Sequence, residues 1–142
     1  IENEEISYGL DECLSIGKHV AIVLDIHHYW INEGSYIQPD DPRIRQVLDS
    51  WRGVRPTMHY SISREDLFPG HCPVTMPDLN SLLALGHKKQ KLRAHSDGYW
   101  NDAVNKYAVS FLQDFDIMCE SKHKNLASFK LYENYVKPGV NT

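Results

Sequence analysis

The fold of this chain is decided by one stretch, Val20-Ala21-Ile22-Val23-Leu24-Asp25-Ile26-His27-His28. Its first five residues form a continuous apolar run, which is typical of a strand buried on both faces of a parallel sheet. A carboxylate and an imidazole follow at D-x-x-H spacing. The stretch therefore predicts a buried strand that delivers Asp25 and His28 to a site at its carboxyl end.

The same kinds of side chain occur in three further segments. They are Glu2 near the first residue, His59 at the end of the predicted strand 54–59, and Glu120 after the predicted strand 116–119. The carboxyl ends of successive parallel strands lie at one face of an α/β fold, so we expect these side chains to converge with the D-x-x-H pair. Carboxylate oxygens and imidazole nitrogens in this mixture suit Mn²⁺, Zn²⁺ or Fe²⁺. The sequence therefore predicts a metal site.

Helix and strand patterns alternate along the chain. Helices are predicted over residues 5–16, 42–51, 79–85, 101–115 and about 122–136, strands over 20–25, 54–59 and 116–119, and a loop over 26–40. Asp41 and Pro42 mark a helix start, and Pro138-Gly139 closes the last helix. Repeated βα units predict a parallel sheet with right-handed crossovers.

About three and a half such units are present, so the predicted fold class is α/β, the C-terminal half of a TIM (β/α)8 barrel with parallel strands. Residues 1–142 would form one partial-barrel domain. Ile1 is not a methionine, and a candidate ligand stands at position 2 without the rest of its strand. We therefore expect the C-terminal part of a longer protein, with the N-terminal half of the barrel supplied by the same or another chain.

Composition bounds the class of protein. The 142 residues are 42% apolar and 24% charged, which is ordinary for a soluble globular domain. A net charge of -4 provides no overall basic field, so bulk charge does not indicate nucleic acid. No apolar run approaches the roughly 20 residues of a membrane span, and no membrane partner is expected. Three cysteines without C-x-x-C spacing favour a reducing compartment, and we expect a cytoplasmic protein.

Five motifs, in order and over nearly the whole chain, resemble the C-terminal half of the UV damage endonuclease family. They are Glu2-Asn3-Glu4-Glu5, Asp25-Ile26-His27-His28, Trp51 with Arg55-Pro56-Thr57-Met58-His59-Tyr60-Ser61, Ala94-His95-Ser96-Asp97, and Glu120-x-Lys122-x-Lys124. The resemblance implies a TIM barrel related to endonuclease IV and to xylose-isomerase-like enzymes. It also implies a divalent metal cluster and cleavage of the DNA backbone immediately 5′ of UV or other lesions.

Carried over residue by residue, the resemblance implies six metal ligands: Glu2, Asp25, His28, His59, His95 and Glu120. Glu2, Glu120 and His95 would also be the catalytic residues. The implied cofactor is Mn²⁺, with Zn²⁺ as the alternative, as two or three ions in the full-length protein. Thr57 stands where the family usually has a lysine, and the stretch between His59 and His95 looks longer than in the family.

Damaged double-stranded DNA is the implied partner. Residues 87–93 form a local basic run, which could be a solvated loop or a grip on phosphates. The candidate DNA-binding residues are Lys88, Lys89, Lys91, Lys122, Lys124 and Tyr29. Tyr29, Trp30 and Tyr36 could stack on a base or could cover the barrel instead.

Each candidate ligand also has a purely structural interpretation. Asp25 could cap the turn that follows it, Glu120 could cap the last helix, and Asp97 could cap the helix at 101 or orient a ligand. His27 is expected to pack rather than to bind metal. Two alternative functions stay open at this point. One is a sugar isomerase or epimerase with a single Mn²⁺ and two proton-shuttling glutamates, and the other is an inactive half-barrel fragment.

Overall fold

A computed structural model describes residues 1–137 of the chain. Within these residues the strands are β1 (Leu24–Asp25), β2 (Thr57–Tyr60) and β3 (Asp116–Cys119). The α-helices are α1 (Leu10–Leu14), α2 (Ile26–Glu33), α3 (Pro42–Ser50), α4 (Leu79–Ala84), α5 (Lys89–Leu92), α6 (Asp102–Val109) and α7 (Asn125–Leu131). Short 3₁₀ turns span Glu65–Leu67 and Ser110–Gln113, and a wider π turn spans Tyr132–Val136.

The three strands pair in parallel in the order β1-β2-β3. Asp25 lies opposite His59 in the first pair, and Tyr60 lies opposite Cys119 in the second. Glu120 therefore comes directly after the end of β3, and its N–H still donates to the Tyr60 carbonyl over 2.8 Å. Helices α2 and α3 connect β1 to β2, and α4 to α6 connect β2 to β3, as parallel pairing requires.

The first three residues extend the sheet beside β1. Ile1 accepts a hydrogen bond from the Val23 N–H over 2.8 Å, and Glu2 bridges Val23 in parallel. The Asn3 side chain continues this ladder: its oxygen accepts from the Asp25 N–H at 2.8 Å, and its amide donates to the Asp25 carbonyl at 3.0 Å. Glu2 is thereby fixed next to the end of β1.

The core holds these strand ends in place. Leu24, Met58 and Tyr60 from the sheet are fully buried, together with Val47 of α3 and Phe111 after α6. Burial of one such large apolar side chain stabilises a fold by about 1.5–3 kcal/mol. Helices alternating with parallel strands are the arrangement of part of a TIM barrel, which is the fold class that the sequence predicts.

The prediction of a loop over residues 26–40 is wrong for its first half, which is helix α2. The Asp25 side chain caps this helix, because its Oδ1 accepts from the N–H groups of His27 at 2.9 Å and His28 at 2.8 Å. Gly34 ends it in the left-handed conformation, with φ of 77° and a hydrogen bond to Trp30. The turn-forming residues that suggested a loop lie mostly after the helix.

Other element boundaries are shorter than predicted. The helix predicted over 5–16 is reduced to α1, because Glu4 N–H donates to the Tyr8 carbonyl and the Glu4 carboxylate caps Ser7 N–H in a preceding turn. The strand predicted over 20–25 is reduced to β1 with its bridge at Val23.

The helices in the second half of the chain form largely where they are predicted. The helix predicted over 101–115 is α6 followed by a 3₁₀ turn, and the last predicted helix begins later, at α7. Pro138-Gly139 lies outside the described residues. Across the described part of the chain, no helix is both long and apolar enough to cross a membrane.

Candidate metal centre

Four side chains meet where the strands end. Glu2 lies beside β1, Asp25 ends β1, His59 belongs to β2 and Glu120 follows β3. One carboxylate oxygen or ring nitrogen from each lies within 4.8 Å of the other three. Donors bound to one ion at about 2.0–2.3 Å would lie at similar separations. We call these four residues the donor cluster.

His59 is the centre of the contacts within the donor cluster. Its Nδ1 lies 3.0 Å from Glu2 Oε1, a hydrogen-bond distance, and 3.6 Å from Glu120 Oε1. The imidazole therefore lies between two carboxylates that come from opposite sides of β2. Without an ion, a proton on Nδ1 would link it to Glu2.

Asp25 is the most buried member of the donor cluster and is fully shielded from solvent. Its Oδ1 caps α2, whereas its Oδ2 is buried and has no hydrogen-bond partner among the described residues. Burial raises the pKa of Asp25 well above its usual value, and the neighbouring carboxylate of Glu2 adds to this rise. A bound cation would satisfy the free oxygen and favour the ionised form.

The pKa of Glu2 is shifted in the opposite direction from that of Asp25. Burial alone would raise the pKa of Glu2, but its close contacts with the Asp25 carboxyl group and the His59 imidazole lower it below the usual value. Glu2 therefore has the more acidic carboxyl group of the two, and Asp25 has the less acidic one. Three carboxylates and one imidazole supply hard oxygen and nitrogen donors, a set that fits Mn²⁺, Zn²⁺ or Fe²⁺.

His28 borders the donor cluster without belonging to the group of four. It lies in the first turn of α2, where its Nδ1 is 3.1 Å from the Asn3 carbonyl oxygen. The same nitrogen is 3.6 Å from Asp25 Oδ2 and 3.7 Å from Glu2 Oε1. A histidine that donates one N–H to a backbone carbonyl keeps its other nitrogen for a ligand, the usual arrangement around metals.

His95 also lies at the edge of the donor cluster. Burial lowers the pKa of His95, and the Glu120 carboxylate partly opposes this effect. An open depression of about 440 Å³ beside the cluster is lined by His28, Gln90, Arg93, Ala94, His95 and Glu120. We call it the rim depression, and it brings both outer histidines together with one member of the donor cluster.

The five predicted DNA-binding lysines are exposed. Lys89 and Lys91 lie on α5, so the basic run is partly helical rather than a loop. Lys124 precedes α7, and Lys122 lines a second open depression with Arg64. The lysines are therefore accessible to a polyanion without being tied into the donor cluster.

Tyr29 is not available to stack on a base, which corrects the sequence prediction. Its side chain is buried in the core, and its hydroxyl accepts a hydrogen bond from Arg43 at 2.7 Å. Trp30 is buried as well and stacks on the half-buried Tyr36. Helix α2 turns Tyr29 and Trp30 toward the interior, and Tyr36 packs on Trp30 from the segment after the helix, which agrees with the alternative of a covering role.

His27 packs in the interior, as predicted. It is buried, its Nε2 lies 3.0 Å from the Leu92 carbonyl oxygen, and burial lowers its pKa to about 3. Asp97 does not cap the helix at 101, because Asn101 accepts the capping hydrogen bond from Val104 N–H. Asp97 is exposed, and its carbonyl oxygen accepts from His123 N–H instead.

Sequence reasoning missed two charged residues beside the site, Glu5 and Arg93. The Glu5 side chain is only 3% exposed and forms an ion pair with Arg93 Nε. Glu5 Oε2 also lies 4.0 Å from His28 Nδ1. The only sequence signal for Glu5 is its place in the motif with Glu2, and Arg93 is hidden in a basic run that reads as surface.

The family model described as UV-endonuclease UvdE matches residues 1–140. A UV DNA damage endonuclease from Bacillus cereus strain G9842 is 25% identical over 140 residues, which cover 94% of this chain and 36% of the relative. The protein of the same name from strain B4264 is 24% identical over the same shares. The chain thus spans about a third of the length of these relatives.

The crystal structure of SacUVDE matches the fold. It superposes with a TM-score of 0.62 at 22% identity and covers 94% of this chain and 37% of that chain. A match of this quality over nearly all of the chain confirms the predicted partial TIM barrel.

Proposed function

This chain belongs to the UV-endonuclease UvdE family, and from that premise we propose that it forms part of the active site of a metal-dependent DNA repair endonuclease. Its substrate would be damaged double-stranded DNA, cut in the backbone on the 5′ side of UV or other lesions. The observation that carries the proposal is the convergence of the donor cluster at the ends of the parallel strands.

The donor cluster would hold the innermost ion, and His28 and His95 would complete the coordination of outer ions. We propose Mn²⁺ first and Zn²⁺ second, as two or three ions in the full-length protein. When bound, such ions lower the pKa of a water molecule and neutralise charge on a scissile phosphate. Thr57 stands where the family usually has a lysine, and this difference bears on the number of ions.

The residues of the chain would have separate tasks around the phosphate. Glu2 and Glu120 would anchor the cation from opposite sides of His59, to which both already lie close. Asp25 would fix the deep side of the site through its free oxygen. His95 would contact the phosphate or an outer ion from the rim depression, which it shares with Glu120.

DNA would be held mainly through its phosphates. The overall charge of -4 is repulsive for DNA, so local cations must supply the attraction. Lys88, Lys89 and Lys91 would act on one side through α5, and Lys122 and Lys124 would act after β3. We also propose that the remainder of the barrel, from the same or another chain, completes the site and probes the lesion.

The test is cleavage of a duplex oligonucleotide with one pyrimidine dimer by protein containing the whole barrel, with Mn²⁺ present. Glu120→Gln should abolish cutting and leave binding of damaged duplex nearly unchanged, because phosphate contacts provide most of the affinity. Glu12→Gln, on the exposed surface of α1, is the matched control and should cut normally. Turnover of a ketose without affinity for DNA would assign the site to a sugar isomerase instead.

A further inference from the structure

We propose that Arg93 contacts the phosphate of the substrate beside the scissile bond, and that buried Glu5 is the positioning residue that holds it there. The proposal rests on the endonuclease function proposed above. Arg93 would be a phosphate-binding residue that belongs neither to the donor cluster nor to the lysines that the sequence indicates.

The position of Arg93 is the first argument. It follows α5 directly and lines the rim depression together with His28, His95 and Glu120. Among the described residues, no other arginine or lysine lines this depression. A polyanion that reaches the donor cluster through the rim depression would therefore meet Arg93 inside it, where no lysine of the basic run forms part of the wall.

The anchoring of Arg93 is the second argument. The Glu5 side chain is nearly inaccessible to solvent, its cationic neighbour is Arg93 through Nε, and the His28 imidazole lies 4.0 Å away. A buried carboxylate is costly unless it is paired, so this ion pair restrains the guanidinium strongly. Glu5 thus connects Arg93 to the same short segment that carries Glu2 and Asn3.

The chemistry of the guanidinium is the third argument. Glu5 engages Arg93 through Nε, and neither terminal nitrogen donates a hydrogen bond to a described residue. About a third of the Arg93 side chain stays exposed, at 34%. A planar group with two free N–H-bearing nitrogens on one edge matches the paired oxygens of a phosphate. A lysine in the same place would provide a point charge but no such edge.

A purely structural role for the ion pair makes different predictions. In that case Arg93 would only tie the end of α5 to the segment before α1, and its loss would lower stability without changing catalysis selectively. Measurements of KM, kcat, salt dependence and unfolding in the same variants separate the two roles.

The experiment uses the whole-barrel protein, the dimer-containing duplex and Mn²⁺. Arg93→Ala should lower kcat/KM by about tenfold to a hundredfold, the usual effect of losing a hydrogen bond to a charged group. It should also reduce the slope of log affinity against log salt by about 0.9. Mn²⁺ affinity measured in the absence of DNA should change by less than about twofold, because Arg93 carries no ligand atom for a cation. Arg45→Ala, on exposed α3, is the control and should change none of these quantities.

Glu5→Gln tests the positioning role. It should raise KM by itself, but in the Arg93→Ala background it should add little, because the two residues act through one another. Arg93→Lys keeps the charge and should lie between wild type and Arg93→Ala, and it covers the case in which Arg93→Ala does not fold.

Three outcomes are decisive. If the wild-type protein cuts and Arg93→Lys and Arg93→Ala retain its kcat/KM and salt slope, the Arg93 inference is wrong while the proposed function stands. If Glu5→Gln and Arg93→Ala have fully additive effects, Glu5 does not act through Arg93. If the wild-type protein neither cuts nor binds damaged duplex, the proposed function fails and the inference fails with it.

Discussion

At the scale of single residues, the two carboxylate oxygens of Asp25 have different roles. Oδ1 caps α2 through two N–H groups, and Oδ2 is buried without a hydrogen-bond partner in the described part of the chain. Asparagine is as good a helix cap as aspartate, but it carries no charge for a cation. The two tasks can therefore be separated by a single substitution.

Asp25→Asn should lower Mn²⁺ affinity by more than about tenfold, since losing even a supporting contact around a metal costs that much. Its free energy of unfolding without metal should stay within about 1 kcal/mol of wild type, because the cap is retained and a like-charge contact with Glu2 disappears. Asp25→Ala should lose a further ~0.5–2 kcal/mol with the cap. Metal titration by calorimetry and urea unfolding of the same samples provide both quantities.

Asp78→Asn is the matched control, because Asp78 caps α4 in the same way but is exposed and lies outside the donor cluster. It should change neither quantity. Wild-type Mn²⁺ affinity in Asp25→Asn would remove Asp25 from the metal site.

At the scale of elements, the sequence predicted where the strands end better than where the helices begin. Apolar runs with a polar residue after them located β1 and β3 and brought Asp25 and Glu120 to the same edge, because parallel pairing fixes that geometry. Helix α2 was missed because the turn-forming residues within 26–40 indicated a loop, so that the capping role considered for Asp25 extended only to a turn. Because a loop was predicted there, Tyr29 was expected to be accessible to DNA, whereas it is buried.

The contact between Glu5 and Arg93 could not be predicted from sequence. The two residues are far apart in the chain, and only the packing of α5 against the first segment brings them together. Their chemical types resemble ordinary surface charges, so neither composition nor spacing distinguishes them. By contrast, the members of the donor cluster each follow a strand signal and were accessible to sequence reasoning.

At the scale of the whole molecule, large apolar side chains are exposed near both ends of the described chain. They are Ile1, Ile6, Tyr8, Ile16 and Val20 in the first part, and Leu126, Phe129, Tyr132 and Val136 in the last part. Others are exposed in the middle of the chain, including Val54, Val74 and Leu85. Contiguous exposed apolar surface promotes association, and the side chains near the ends fit the proposal that the remainder of a barrel covers them.

We therefore expect the 142-residue chain by itself to associate with increasing concentration. Replacing Leu126 and Phe129, exposed at 65% and 62%, by lysine should reduce association without loss of folded structure. Sedimentation velocity and near-UV circular dichroism would measure the two effects. Gln113→Lys, which adds a charge at an exposed polar position, is the control. A wild-type chain that stays monomeric over a wide concentration range would contradict this expectation.

The donor cluster joins four parts of the chain that are far apart in sequence. Its members come from the first segment, β1, β2 and the end of β3, so an ion bound there would act as a cross-link that closes three long loops at once. Loop closure costs entropy in the unfolded chain, so the ion binds only the folded form and stabilises it by about 2.7 kcal/mol at a hundredfold excess over Kd. The first segment is joined to β1 by only a few hydrogen bonds. Chelation of the ion should therefore accelerate amide hydrogen exchange at Val23 and Asp25 before it affects Met58 in the core. Equal acceleration at all three amides would show that the ion does not stabilise the contact between the first segment and β1.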